Sequence, residues 1–237
     1  MGNKTPIWVA ISRSLRADIA QARYGPGDKL PTEAALASRF GVNRHTVRRA
    51  LGDLVEAGII HTRRGAGIFV AHRPTDYPIG ERVRFHQNLR AAGRLPGKQI
   101  LALETRAADA AEADALRLAP GEMVHVYEGL SLADGIPVAT FCSSFPAARF
   151  PELLTALNRL KSVTEALREQ GVADYTRAST RLNAKLASPT QALHLHLEPG
   201  APILRTIAVN VDPEGQPVEY GRTWFAGDRI TLTLGES

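Results

Sequence analysis

The chain has 237 residues and a formal net charge of +5, from 29 Lys and Arg against 24 Asp and Glu, so a strongly basic surface must come from charge placement and not from the total. Its one cysteine, Cys142, excludes an intrachain disulfide framework and argues against a cysteine-based metal centre. No run of ~18 apolar residues could span a bilayer and the opening segment does not have the form of a signal peptide, so a cytoplasmic protein of two domains is expected.

Ile7, Trp8, Ile11, Leu15 and Ile19 give the first helix an apolar stripe, and Tyr24-Gly25-Pro26-Gly27 ends it. Pro31-Thr32 suits a second helix start, with Thr32 as cap and Glu33 near the positive helix end. Gly41 then breaks that helix, and Asn43 can cap a third whose Val47, Leu51, Leu54 and Val55 form a buried stripe. The other face of the third helix holds Arg44, His45, Thr46, Arg48 and Arg49. Such a face can enter a major groove, where Arg pairs bidentately with guanine and Asn with adenine, although arginines four apart equally suit a merely solvated face. Next come His61 to Val70, read as a strand, a basic turn at Arg63, Arg64 and Gly65, and a second strand. Helix, turn, basic helix and glycine-tipped hairpin in that order make a winged helix-turn-helix. Within 29–73, eight basic residues (Lys29, Arg39, Arg44, Arg48, Arg49, Arg63, Arg64 and Arg73) face three acidic ones (Glu33, Asp53 and Glu56). This segment therefore holds a surplus equal to the chain's whole excess, as a salt-sensitive nucleic-acid contact requires.

The domain is expected to end at residue 72. The proline-containing stretch 73–79 reads as an extended linker, and 80–237 as an α+β domain. Helices are expected at Val83 to Ala92, Ala108 to Leu116 and Glu152 to Gln170, and strands at Gln99 to Arg106, Met123 to Leu132, Pro137 to Phe145, Tyr175 to Ala184, Ile203 to Val211 and Pro217 to Phe225. The segments 108–146 and 188–225 each run helix, Pro-Gly turn, strand, turn, strand, so two near-repeats should supply the two sides of an antiparallel sheet.

The stretch LPTEAALASRFGVNRHTVRRALGDLVEAGIIHTRRGAGIFV resembles the DNA-binding domain of GntR-type bacterial transcription factors, over essentially all of 7–72. That resemblance implies that Asn43, Arg44, His45 and Arg48 read an operator, with Thr32 near phosphate and Gly65 at the wing tip. Ala34 departs from relatives that carry Arg after the Glu, so no contact is carried over to it. The near-repeat that follows resembles the UTRA ligand-sensing domain of the HutC subfamily, with a chorismate-lyase-like fold, over nearly all of 80–235. Within that subfamily FGVNRHTVRRAL, RPTDYPIG and the Arg84 to Asn88 segment look most like the repressors of phosphonate metabolism.

A buried phosphate, phosphonate or carboxylate needs N–H and cationic donors. Candidates are Arg84, Gln87 and Asn88, then Ser162 and Thr164 at a helix beginning, Arg181 on a strand, and Arg222 beside Glu219 and Tyr220. The resemblance implies that the segments around Phe85, Glu128, Ser162, Arg181 and Glu219 line one cleft. Many related sensors have Arg where this chain has Glu128, which suggests a zwitterionic effector, its anion on Arg84 or Arg181 and its amine on Glu128 or Glu219. The plainer alternatives are a surface salt bridge for Arg181, a Glu219–Arg222 pair, and Glu128 in solvent. His194 and His196 are spaced wrongly for a shared helix face, so no metal or cofactor is expected.

The expected protein is thus a homodimeric repressor released from a palindromic operator by a small anionic effector. A regulator responding to sugar phosphates or amino-acid catabolites is the nearest alternative. A lyase-like enzyme is the rival from another class, resting on fold likeness alone, because no catalytic or cofactor signature is present.

Overall fold

Helix α1 (Ile7–Ala20) buries Ile11 and Leu15 and is tied to α3 (Arg44–Glu56) through Asp53, which accepts from Ser12 Oγ at 2.6 Å and Arg16 Nη2 at 2.9 Å. The structure is a computed structural model that describes residues 6–63, 65–71, 74–82 and 84–234. It divides into two units, Met1–Arg73 and Pro74–Ser237. In the first unit, α2 (Glu33–Phe40) starts at Thr32, whose Oγ1 accepts from the Ala35 N–H at 3.2 Å. It stops at Gly41, whose φ of 63° is the left-handed conformation that favours glycine. Asn43 caps α3, its Oδ1 accepting from the Thr46 N–H at 2.8 Å.

Leu36, Val47, Ala50, Leu51 and Leu54 close the core of this unit. Val55 is 40% exposed and Ala50 is buried instead, because 47, 50, 51 and 54 follow one helical face more closely than 47, 51, 54 and 55. Strands β1 (Ile60–Arg63) and β2 (Gly67–Val70) pair antiparallel as a wing.

The second unit is built on a six-stranded antiparallel sheet in the order β4-β5-β6-β9-β8-β7. The strands are β4 (Pro96–Ala107), β5 (Met123–Ala133), β6 (Ile136–Pro146), β7 (Thr176–Leu186), β8 (Pro202–Val211) and β9 (Pro217–Ala226). The near-repeat accounts for this order, since β4-β5-β6 and β7-β8-β9 are equivalent halves joined along β6 and β9. Helices α5 (Ala110–Leu116) and α8 (Pro189–Leu195) occupy equivalent places. Each opens with a capping box, Asp109 with Glu112 and Ser188 with Gln191, and each ends in a left-handed residue, Arg117 or His196.

Two expectations need correction. The helix expected over 152–170 is two helices, α6 (Leu153–Leu160) and α7 (Val163–Glu169), because Lys161 turns left-handed at φ 52° and Ser162 caps a new start. The expected linker contains β3 (Thr75–Pro78), which pairs in parallel with β10 (Ile230–Thr233) near the other end of the chain. Helix α4 (Phe85–Ala91) follows and packs on β3 and β4.

Candidate functional site

Exposed on the first unit are Thr32, Asn43, Arg44, His45, Arg48 and Arg49, with Thr46 half-buried and Gly65 exposed in the wing. The Arg63 side chain and Arg64 lie outside the described residues. Capping occupies Oγ1 of Thr32 and Oδ1 of Asn43, and Asn43 Oδ1 also accepts from Thr46 Oγ1 at 2.9 Å.

Arg48 forms a fork on Glu33, Nε to Oε1 at 3.1 Å and Nη2 to Oε2 at 2.8 Å. That hydrogen bond holds the Glu33 carboxyl below the usual carboxylate range. An exposed pair of this kind adds little stability, but it fixes the direction of Arg48. Arg49 is set apart from this group, its guanidinium lying 4.7 Å over the Trp8 ring of α1. Arg44 and His45 form no ion pair among the described residues, so they are the α3 side chains most available to a nucleic acid.

A cavity of about 280 Å3 lies in the second unit between one face of the sheet and helices α4 and α7. Of the candidates named from the sequence and the resemblance, Arg84, Phe85, Gln87, Ser162, Thr164 and Glu219 line it. Asn88 is not among the lining residues; its Nδ2 donates to the Pro78 carbonyl at 3.0 Å and braces β3.

Tyr220 and Arg222 face away because side chains alternate along β9, where Glu219, Thr223 and Phe225 line the cavity. Arg222 instead donates to Cys142 Sγ at 3.1 Å and to Glu112 Oε1 at 3.4 Å, so the expected alternative of a Glu219–Arg222 pair fails on the same parity. Glu128 is exposed, and it pairs in register with Cys142, which sits in the cluster on the opposite face.

Arg181 is turned out by a bulge. Arg177 pairs with Asn210 and lines the cavity, but Ser179 pairs with Val209, so Ala178 is an extra residue that reverses the alternation before Arg181. Arg181 then shares a register position with Ile207 and is exposed.

The sequence reading missed Lys98, Ser143, Tyr175, Arg177 and Asn210. Period-two counting from Glu219 could have found the partner strands' inward positions. Lys98 was one residue short of the expected strand, which begins at Pro96.

Glu219, 8% exposed, accepts from Ser143 Oγ and Asn210 Nδ2, both at 2.6 Å, with no cation at ion-pair distance among the described residues. Arg84 stacks 3.7 Å over the Tyr175 ring while Nη2 donates to Asp174 Oδ1 at 2.9 Å and to the Tyr175 carbonyl at 2.7 Å. The Tyr175 hydroxyl lies 2.9 Å from Thr164 Oγ1, and burial pushes its pKa up.

Lys98 reaches in from β4. Its Nζ donates to Ser131 Oγ at 2.7 Å and lies 3.9 Å from the Phe141 ring centre and 4.3 Å from that of Phe85. Burial brings its pKa down to about 7 against the opposing pull of Glu219. Burial also lowers His86, with Lys98 and Arg90 adding to the effect. These groups give the cavity donors and cations for an anion and one buried carboxylate for a cation.

The opposite face of the sheet holds a closed knot. Glu112, fully buried, accepts from Arg106 at 2.6 and 2.8 Å, from the Asp109 N–H at 2.9 Å and from Ser144 Oγ at 2.7 Å. Burial opposes its charge, but these donors prevail and bring its pKa down to about 2.

A winged helix on one unit and a sheet-backed polar cavity on the other point to the class of transcriptional regulators. Residues 9–70 match the bacterial regulatory proteins of the gntR family and residues 91–231 match the UTRA domain, so the chain belongs to the GntR family in its UTRA-bearing, HutC-type form. It is similar to an HTH-type transcriptional regulator of Rhizobium meliloti (strain 1021), 38% identical with 96% of this chain and 94% of the relative covered. It is also similar to the probable transcriptional regulator PhnF of Escherichia coli (strain K12), 35% identical over 94% of this chain and 92% of that protein. Among solved structures it resembles PhnF from Mycobacterium smegmatis, with a TM-score of 0.67, 27% identity, and 98% and 99% of the two chains covered. Members of these families are DNA-binding regulators and not enzymes. No helix among the described residues is long and apolar enough to cross a membrane.

Proposed function

We propose that this regulator is a homodimeric repressor of genes for phosphonate uptake or breakdown, released from a palindromic operator by a small zwitterionic phosphonate. The observation that carries the reading is Glu219: a buried carboxylate, hydrogen-bonded but with no cation at ion-pair distance among the described residues, in a cavity whose lining also holds basic, hydroxyl and aromatic groups. A buried charge is costly unless paired, so Glu219 suits a ligand that brings its own ammonium group. The same ligand's phosphonate finds cations and hydroxyls around it. The likeness to relatives called PhnF, together with the Arg84 to Asn88 segment, supports phosphonates over sugar phosphates.

Of the candidates first considered, Glu219 takes the amine role, while Glu128 and Arg181 drop out because neither lines the cavity. Arg44, His45 and Arg48 contact the operator bases, with Thr32 and the wing on the phosphates. Calorimetry on the full chain tests the effector reading. 2-Aminoethylphosphonate should bind at least tenfold more tightly than ethylphosphonate, and Glu219→Gln should remove the difference. Equal affinity of the unaltered chain for the two compounds would contradict it.

A further inference from the structure

The cations around the cavity differ in how far they are already committed. Arg84 is bound to Asp174 and the Tyr175 carbonyl and stacked on a ring, so most of its capacity serves the fold. Arg177 is turned toward Asn210, its Nε 3.4 Å from Oδ1. Arg90 and Arg168 are exposed at the cavity's edge, where water competes for them.

Lys98 is different. Its ammonium is buried against two aromatic rings, has Ser131 Oγ as its hydrogen-bond partner, and has no carboxylate at ion-pair distance among the described residues. The sheet makes room for it. The residues of β5 beside it on the cavity face are Gly129 and Ser131, and a Cβ at Gly129 would lie 2.4 Å from the Gln99 carbonyl oxygen and 2.8 Å from Phe141 Cζ. Small residues at these two positions leave the place that the lysine fills.

Glu219 of the same cavity attracts this ammonium group without pairing with it, and a buried ammonium that lacks a paired counterion costs more than an apolar side chain of similar length packed there. A ligand's anion supplies what is missing. We infer that Lys98 is the residue that binds the anionic group of the effector and sets the pocket's selectivity for phosphonate and phosphate over neutral ligands. This rests on the effector reading given above and names the residue that carries it.

The test uses the full-length chain, its Lys98→Met and Lys98→Arg variants, and two probes, 2-aminoethylphosphonate and ethanolamine. The unaltered protein should bind the phosphonate far more tightly than ethanolamine. Lys98→Met should lose at least tenfold in affinity for the phosphonate with little change for ethanolamine, and Lys98→Arg should retain part of the preference. With no ligand, Lys98→Met should melt at a higher temperature than the parent, because it removes a buried charge. A residue needed only for packing would show the reverse. If the parent binds the phosphonate and Lys98→Met binds it equally well, the inference fails while the effector reading stands. If the parent binds the two probes equally, the effector reading itself fails and the inference falls with it.

Discussion

Arg44 and Arg48 are one turn apart on α3 but differ in readiness to meet DNA. Arg48 is held in a two-point fork by Glu33, whereas Arg44 makes no ion pair among the described residues. A guanidinium already oriented loses less freedom on docking, and one that must exchange a carboxylate for phosphate or base loses part of the gain. Replacing Arg44 by Ala should therefore cost ~1–3 kcal/mol of operator affinity, concentrated at one base position. Binding measured across single-base operator variants checks this, and a uniform loss over all of them would make Arg44 a phosphate contact. At the same scale, Glu112 is an acid-sensitive part of the fold. Its pKa near 2, below the ordinary 4.5, means that the native state stabilises the charged form. That stabilisation is complete above about pH 4.5 and fades as pH falls toward 2. Glu112→Gln should thus destabilise the protein at neutral pH by on the order of 2–3 kcal/mol, since it removes the closest partner of Arg106, whose other ion pair is the looser contact with Glu104 at 3.4 Å. The gap between variant and parent should narrow in denaturant melts taken from pH 5 down to pH 3. Lys98 has the opposite sign. Its native pKa of about 7 lies below the unfolded lysine value of 10.5, so the unfolded chain holds the extra proton between these limits. The penalty is full below pH 7 and relieved as pH rises toward 10.5, so the stability advantage expected of Lys98→Met should shrink over that range.

Among the elements, strand parity decides which residues belong to the cavity. The helices, hairpins and near-repeat were legible because their signals are local: Thr32 and Asn43 as caps, Gly41 as a stop, and Pro-Gly turns ahead of β5 and β8. Glu219, Arg84 and Ser162, which line the cavity, were candidates from donor chemistry and the family resemblance and not from local signals. Local signals could not show the bulge at Ala178, which separates Arg177 from Arg181, because a bulge is a property of the paired strands and not of one. Nor could they show that β3 pairs with β10, because a parallel pair between distant segments leaves little local pattern. The close packing of β5 against its neighbours gives a further prediction. Gly129→Ala places a Cβ against the Gln99 carbonyl and the Phe141 ring and should cost ~1–3 kcal/mol in chemical denaturation. It should weaken effector binding as well, since Phe141 packs beside Lys98. Retention of parental stability would show that β4 and β5 can separate at little cost.

For the whole molecule, a repressor needs two states that differ in DNA affinity, and an effector shifts between them only if it binds one state better. The second unit offers a physical route for such a bias. Tyr77 of β3 lines the cavity, and β3 is the first strand of the unit after the segment that leads from the wing. Asn88 of α4 holds Pro78 at the end of the same strand. A ligand that moved α4 or Tyr77 would act directly on the strand through which the connecting segment enters. Reciprocity follows: the effector should weaken operator binding by the same factor by which the operator weakens effector binding.

The most direct measurement is operator affinity as a function of effector. A DNA fragment selected from a genomic library by the full chain is titrated at fixed, moderate salt, with and without saturating 2-aminoethylphosphonate. The account predicts that the selected fragments share a dyad-related motif and that the ligand lowers affinity for it by tenfold or more, with Lys98→Met binding the same DNA but failing to respond. Operator affinity unchanged by every ligand that the cavity binds would contradict it.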